Sequence, residues 1–213
     1  MDLLQRNHQL LLKGINCTFL RYLHARIEWE DRLIGIFGSR GVGKTTLLLQ
    51  HIKLKFEDSR EALYVNLDDF WFETHSLTDA VKEFLQAGGH YLFLDEIHFY
   101  SGWMEEVSTL LDANPALKIV FATTSLYSQT EVRNGLRHEA AFYVMHPMSF
   151  REFLSYESIL DKDPIPLEDI LANHHDLVKE INAEMNIVPI YRNYLEHGCY
   201  PFYWQDPDMY YFR

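Results

Sequence analysis

One stretch restricts the fold of this chain more than any other: an apolar run, a glycine-rich turn and a helical pattern in succession. The apolar residues 33–37 end at Gly38, four residues follow, and then come Gly43, Lys44 and Thr45. Apolar residues at helical spacing lie behind the turn: Leu47, Leu48, Leu49 and Ile52. A Gly-x4-Gly-Lys-Thr turn between a strand and a helix is the P-loop pattern, which predicts a site for a phosphate chain.

The residue types of this turn suit phosphate binding. Glycines let the backbone approach a phosphate without Cβ clashes, so that several N–H groups can point inward, and the following helix adds partial positive charge. Lys44 is expected to reach the β- and γ-phosphates, and Thr45 to hold Mg²⁺ through its hydroxyl. The predicted nucleotide-binding residues are Gly38, Ser39, Arg40, Gly41, Val42, Gly43, Lys44, Thr45 and Thr46. The Arg40 side chain is expected to face protein or solvent, because the loop amides already bind the phosphates.

Composition excludes several classes of protein. The chain has 213 residues, of which 47% are hydrophobic and 15% aromatic, as in a packed globular protein. No apolar run approaches the ~20 residues of a membrane span, and the first residues lack a signal-peptide layout. The net charge of −12 argues against a generic nucleic-acid-coating surface. Cys17 and Cys199 have no metal-ligand spacing and are expected to be reduced. These features predict a cytoplasmic protein without a membrane partner.

The order of apolar patterns predicts an α/β fold, a three-layer structure around a parallel sheet. Strands are predicted at residues 32–37, 62–67, 90–95, 118–122 and 140–145. Two helices are expected before the first strand, the second of them through Phe19, Leu20, Leu23 and Ile27. Ser76, Ser101 and Ser149 are expected to cap later helices. The predicted organisation is N-terminal helices at 1–30, a P-loop core at 31–147 and a helical extension at 148–213.

A second motif supplies the carboxylates that a P-loop site needs. Residues 91–94 form a mostly apolar strand, and Asp95 and Glu96 follow it directly. Asp95 is expected to orient Mg²⁺ through its water shell. A carboxylate at Glu96 can polarise a water molecule for attack on the γ-phosphate, so this pair favours hydrolysis over binding alone.

Three further positions are weaker catalytic candidates. A polar turn at residues 123–125 follows the fourth strand, and either Thr124 or Ser125 is expected to sense the γ-phosphate; a solvated turn is the alternative. Arg133 or Arg137 is a candidate arginine finger, on its own chain or toward a neighbouring subunit, although a surface arginine on a helix is the commoner explanation. The predicted catalytic residues are Glu96, Lys44, Thr124, Ser125 and Arg137, and the predicted metal ligands are Thr45 and Asp95.

Five segments together are similar to one known family. They are residues 38–46 (GSRGVGKTT), 92–98 (LFLDEIH), 118–125 (KIVFATTS), 148–153 (MSFREF) and 198–202 (GCYPF). The chain resembles the prokaryotic AAA-family ATP-binding proteins of the AAA_14 type, in which a DUF4143-type region follows the ATPase domain. This resemblance implies an ASCE-type P-loop core with strand order 5-1-4-3-2. It also implies ATP as ligand, with the Lys44, Thr45, Asp95 and Glu96 roles given above.

Two segments depart from the family pattern. The family usually has Thr-Gly-Ser-Ser where this chain has residues 122–125, and it often has a basic pair where this chain has residues 137–139. Family members also continue well past the position of Arg213, so a C-terminally truncated protein is expected.

Two functions remain open at this point. The first is an Mg²⁺-dependent ATPase whose hydrolysis drives a conformational change in an attached C-terminal region. The second is a nucleotide-switched module with little turnover that binds a protein or DNA. Residues 151–213 hold 5 Lys and Arg against 12 Asp and Glu, which motivates the second function. ATP and ADP are the expected ligands, and the resemblance permits self-association.

Overall fold

The computed structural model describes residues 2–56, 60–124, 129–160 and 162–205. The chain divides into two compact units, residues 1–146 and residues 147–213.

The first unit contains a five-stranded sheet in which all strand pairs are parallel. The strands are β1 (Leu33–Phe37), β2 (Ala62–Asn66), β3 (Tyr91–Asp95), β4 (Lys118–Thr123) and β5 (Ala141–Val144). Their order is β2-β3-β4-β1-β5. The predicted order 5-1-4-3-2 is therefore confirmed, and the fold is a P-loop NTPase-like α/β fold. Because all the strands are parallel, the carboxyl ends of β1, β3 and β4 lie at one edge of the sheet.

Five α-helices occur among the described residues of this unit. They are α1 (Asp2–Gly14), α2 (Lys44–Lys55), α3 (Leu77–Gln86), α4 (Trp103–Ala113) and α5 (Gln129–Gly135). Single-turn 3₁₀ helices lie at Tyr22–Arg26, Phe70–Glu73 and Ile97–Phe99. Ser76 caps α3 as predicted, in a capping box with Asp79. Helices α1 and α2 contact each other and β2, while α3 contacts α4.

Strand β1 is buried along its whole length. Leu33 and Phe37 belong to the core that also contains Phe84 and Trp103 from α3 and α4. Ile34 and Ile36 point to the other face, because side chains alternate along a strand, and both are fully buried. Burial on both faces explains why this strand is a continuous apolar run. Each of these side chains stabilises the fold by roughly 1.5–3 kcal/mol.

Two local predictions were wrong. Residues 19–27 contain only the 3₁₀ turn, because the Asn16 side chain accepts the Thr18 N–H at 2.7 Å and Arg21 is extended. An Asx turn of this kind competes with helix formation. Ser101 does not cap α4: the N-cap is Gly102, at φ +76°, and its carbonyl accepts the first helical N–H groups.

The second unit contains only helices among its described residues. These are α6 (Phe150–Tyr156), α7 (Leu167–Glu184), α8 (Ile187–Asn193), a π-helical turn (Tyr194–Gly198) and α9 (Phe202–Gln205). Ser149 and Glu152 form the predicted capping box of α6. A Cβ at Gly198 would lie 2.7 Å from the Phe153 ring, so glycine permits the close packing of the π-helical turn on α6. None of the described helices combines the length and apolar character that a membrane crossing requires.

Two histidines of the first unit are buried. His8 in α1 accepts the Tyr64 N–H through Nδ1 at 3.0 Å, and burial lowers its pKa to about 4. His51 in α2 stacks on Trp29 with ring centroids 3.7 Å apart. Burial, followed by the nearby His24 and Lys55, lowers the pKa of His51 to about 3, while Glu30 opposes the shift. Both side chains are therefore neutral in the folded protein near pH 7.

We expect the free energy of unfolding to fall as the pH is lowered from about 6.5. Below the ordinary value of 6.5 the unfolded chain binds protons at His8 and His51, whereas the folded chain does not do so until about 4 and about 3. Stability is thus present above this window and lost within it, by up to about 1.4 kcal/mol per pH unit for each histidine. Urea unfolding between about pH 7.5 and 5 measures this slope.

A variant pair assigns the slope. His51→Phe keeps an aromatic ring beside Trp29 but removes one titrating group, and should reduce the slope to the part that His8 contributes. His90→Ala, at an exposed histidine before β3, should leave it unchanged. An equal slope in all three proteins would contradict this account.

Candidate functional site

The turn after β1 has the backbone geometry of a phosphate-binding loop. Gly41 and Gly43 adopt positive φ angles of +82° and +100°, which glycine reaches without a Cβ penalty. Gly38 lies so close to the strand β5 end that a Cβ there would be 2.5 Å from the Met145 carbonyl oxygen. Helix α2 begins directly at Lys44, so its unpaired N–H groups adjoin the loop. Backbone amides and the helix N-terminus thus form one anion-binding concavity.

The side chain of Lys44 lies folded onto this loop. Its Nζ donates to the carbonyl oxygens of Gly38, at 2.8 Å, and Ser39, at 3.1 Å. Burial lowers the pKa of Lys44, and the nearby Asp95 and Glu96 carboxylates oppose that shift. The ammonium is therefore held by neutral carbonyls beside two carboxylates, and it can exchange the carbonyls for phosphate oxygens.

The Asp95 carboxylate joins three elements. One of its oxygens, Oδ2, accepts the Thr45 hydroxyl at 2.5 Å and the Tyr64 hydroxyl at 2.9 Å. The other, Oδ1, accepts the Glu96 N–H at 2.9 Å. Burial, followed by the Asp95 charge, raises the pKa of Tyr64, so this hydroxyl remains a donor. The two predicted metal ligands, Thr45 and Asp95, are thereby brought together.

Hydroxyl and carboxylate oxygens are the donors that Mg²⁺ prefers. While the Thr45 hydroxyl donates its proton to Asp95, its lone pairs stay available to a cation. No cluster of three or more His, Cys, Asp or Glu side chains suited to a metal ion occurs within the described parts of the chain. The Thr45–Asp95 pair therefore fits an Mg²⁺ ion that takes its remaining ligands from phosphate and water, as this ion commonly does.

Glu96 lies where the chain turns out of β3. Its backbone is left-handed, at φ +51° and ψ +38°, a conformation that costs a non-glycine residue about 1–3 kcal/mol. Its carboxylate Oε2 lies 3.5 Å from Nδ1 of His98, in the 3₁₀ turn that follows. The same imidazole faces Thr123 and Thr124 at the end of β4. Glu96 is thus connected to the neighbouring strand by one side chain.

The remaining catalytic candidates differ in position. Thr124 lies beside His98, whereas Ser125 falls outside the described residues. Arg137 precedes β5, at the edge where the strands begin, and its guanidinium donates to Asp112 at 2.9 Å and Thr109 at 3.2 Å. This position does not bring Arg137 to Lys44 of its own chain, and a role toward a neighbouring subunit stays a prediction. Arg133 lies over the Phe142 ring, and Arg40 is exposed.

Three residues of this region were not predicted from the sequence as part of the site. Tyr64 and Arg21 were not singled out, and His98 entered only as the last residue of the family segment 92–98, without a role. Arg21 is in fact buried and donates to the carbonyl oxygens of Val42, at 2.6 Å, and His146, at 2.8 Å. It therefore fixes the P-loop to the segment after β5.

The comparison with family models gives one match. The model of the AAA domain family (AAA_14) matches residues 30–154. This range contains the loop, Asp95, Glu96 and the end of β4. A search of curated proteins gives no match.

A search of solved structures finds similar chains at low sequence identity. PCH-2 from C. elegans has a TM-score of 0.39 and 14% identity, with 78% of this chain and 49% of that chain covered. AMPPCP-bound DnaA from Aquifex aeolicus has a TM-score of 0.41 and 18% identity, with coverages of 75% and 54%. RIF2 from Saccharomyces cerevisiae has a TM-score of 0.48 and 12% identity, with coverages of 93% and 85%. The match thus spans about half the length of the first two proteins.

Replacing Gly38 with alanine should displace the loop. The added Cβ would meet the Met145 backbone oxygen at 2.5 Å, so β1 or β5 must shift. We expect a loss of roughly 1–3 kcal/mol in the free energy of unfolding and at least about tenfold weaker ATP binding. Urea unfolding and titration with a fluorescent ATP analogue measure the two effects.

Gly14→Ala is the matched control for this substitution. Gly14 ends α1, and a Cβ there would have no heavy atom within 4 Å. Its stability and affinity should equal those of the unsubstituted protein. Equal nucleotide affinity in the two alanine variants would refute the tight packing of the loop on residue 145.

Proposed function

We propose that this chain, which belongs to the AAA domain family, is an Mg²⁺-dependent ATPase in which Glu96 activates the attacking water. Nucleotide binding at a P-loop is the general function of such a domain. One observation carries the finer proposal: the Thr45 hydroxyl and the Asp95 carboxylate meet at 2.5 Å, and Glu96 follows Asp95 directly. The phosphate-binding loop and a second carboxylate thereby lie in one site.

Binding of the triphosphate falls to the loop and to Lys44. The amides around Gly41 and Gly43 and the first turn of α2 provide donors for phosphate oxygens. Lys44 gives up the Gly38 and Ser39 carbonyls and pairs with the β- and γ-phosphates instead. This exchange costs little, because one set of buried oxygen acceptors replaces another and the new set is charged.

Hydrolysis requires a base beside the γ-phosphate. Glu96 supports this role because its carboxylate is only partly exposed and adjoins the Asp95 carboxylate, which is already occupied by three hydrogen-bond donors. Glu96 thus remains available to accept a proton from the attacking water. The water oxygen attacks the γ-phosphorus in line with the leaving ADP oxygen. When bound at Thr45 and Asp95, Mg²⁺ supplies charge neutralisation on the phosphate oxygens.

The proposal also includes a coupling between ATP hydrolysis and the helical unit. We propose that turnover changes the arrangement of the helical unit at residues 147–213, through which a protein or DNA partner, or a second copy of the chain, responds to nucleotide. The support is the division of the chain into two compact units and the excess of acidic residues in the second. A nucleotide-switched binding module without turnover is the alternative, and the next experiment separates the two.

Glu96→Gln should keep ATP binding and reduce turnover by about 100-fold or more, because the amide cannot accept the proton of water. Phosphate release under ATP saturation and equilibrium binding of a fluorescent ATP analogue measure the two properties. Lys44→Ala should lose both, and Glu105→Gln, an exposed acid on α4, should change neither. Equal phosphate release by the Glu96→Gln and unsubstituted proteins would overturn the assignment. If the unsubstituted, Glu96→Gln and Glu105→Gln proteins all turn over ATP no faster than Lys44→Ala, the result would favour the nucleotide-switched binding module.

Thr45→Ala should raise the Mg²⁺ concentration that gives half-maximal turnover by about 10-fold or more, since it removes one ligand and one donor to Asp95. Chelation of Mg²⁺ with EDTA should abolish turnover of the unsubstituted protein. Thr130→Ala, on the exposed side of α5, is the control and should keep the original requirement. An unchanged Mg²⁺ requirement in Thr45→Ala would show that the hydroxyl holds no metal.

A further inference from the structure

His98 lies between Glu96, which activates water in the proposed function, and Thr124, the predicted sensor of the γ-phosphate. Its side chain is largely buried, with 7% exposed. Nδ1 lies 3.5 Å from Glu96 Oε2 and 3.4 Å from the Thr123 hydroxyl. Nε2 lies 3.4 Å from the Thr124 hydroxyl. The two threonine contacts are long hydrogen bonds, and the Glu96 oxygen lies just beyond them as a close N···O approach; such contacts shorten when a catalytic site binds its substrate.

A neutral imidazole has one N–H donor and one acceptor nitrogen, so His98 can satisfy these neighbours in two ways. With the proton on Nδ1, His98 donates to Glu96, and Nε2 accepts the proton of the Thr124 hydroxyl. With the proton on Nε2, His98 donates to the Thr124 oxygen, and Nδ1 accepts the Thr123 hydroxyl instead. Only the first form holds the Glu96 carboxylate.

Binding of a γ-phosphate selects between the two forms. A Thr124 hydroxyl that donates to a phosphate oxygen has no proton left for His98, but its oxygen can still accept. The Nε2–H form is then the one that bonds Thr124, and its Nδ1 can no longer donate to Glu96. In this change Nδ1 gives up its proton and Nε2 takes one up through water, so the imidazole stays neutral.

We propose that His98 is a positioning residue whose two tautomers couple Thr124 to Glu96. Without a γ-phosphate, His98 holds the Glu96 carboxylate; with a γ-phosphate on Thr124, it releases the carboxylate to the attacking water. This inference rests on the proposed function, which gives Glu96 its role, and on the prediction that Thr124 contacts the γ-phosphate. The left-handed backbone of Glu96 supports it, because that turn brings the carboxylate back toward the residue two positions later.

Nuclear magnetic resonance of the ¹⁵N-histidine-labelled protein tests the tautomers directly. The ring nitrogens of His98, assigned by the loss of signal in His98→Phe, should report Nδ1–H with ADP and Nε2–H with a non-hydrolysable ATP analogue, both with Mg²⁺. The same protonated nitrogen in both complexes, or a doubly protonated ring in both, would overturn the proposal. This readout needs no hydrolysis, so it stands apart from the Glu96→Gln test of the proposed function.

Turnover gives an independent test through a double-mutant cycle. In the background with His98 intact, Thr124→Val should lower kcat about 10-fold or more, because His98 then continues to hold the Glu96 carboxylate. In the His98→Phe background, which keeps a ring but no restraint, the same substitution should lower kcat less than about threefold. The factor in each background is taken relative to that background alone, and the exposed control His90→Ala should keep turnover and ATP affinity.

Three results would contradict the proposal. Equal factors for Thr124→Val in both backgrounds would mean that Thr124 and Glu96 are not coupled through His98. Loss of turnover in His98→Phe with ATP affinity retained would mean that the imidazole performs a required step rather than a restraint. Loss of turnover in Thr124→Val with unchanged tautomers in the labelled protein would likewise assign Thr124 to the phosphate alone.

Discussion

The buried carboxylate of Asp95 is the interaction on which the rest of this site depends. It is 1% exposed, and burial of an unpaired charge is prohibitively costly in a protein interior. Thr45 from α2, Tyr64 from β2 and the Glu96 amide satisfy it. Losing one such donor costs about 1.5–3 kcal/mol, so the carboxylate ties the phosphate-binding loop, β2 and the Glu96 turn into one unit.

The order of the strands places these partners together. Strand β3 lies between β2 and β4, and β1 lies on the far side of β4. Tyr64 therefore reaches Asp95 from one side and Thr45 reaches it across the end of β4. The same neighbourhood puts Thr123 and Thr124 beside the turn that carries His98. A sheet in sequence order would separate β1 from β4 and lose this arrangement.

The sequence predicted those features of the fold and the site that have a local pattern of residues. The loop, the five strands and the Asp95–Glu96 pair each have a signal within about ten residues, and the family resemblance added the strand order. Tyr64 and His98 have no such signal, because a tyrosine in an apolar strand and a histidine after a turn acquire their partners only through strand order and the left-handed Glu96. The helix expected at residues 19–27 failed for the converse reason: its apolar spacing was helical, but an Asx turn and the contacts of Arg21 decided the backbone.

Arg21 lies outside the residues that the family model matches, yet it contacts the phosphate-binding loop. The family match begins at residue 30, yet Arg21 donates to the Val42 carbonyl inside the loop and to the His146 carbonyl after β5. A buried guanidinium is fully charged, so both carbonyls are held by charge-assisted bonds stronger than neutral ones. With Val42 fixed, the adjacent Gly41 and Gly43 keep the positive φ angles that turn their amides inward. The segment before β1 is therefore a structural part of the phosphate-binding loop.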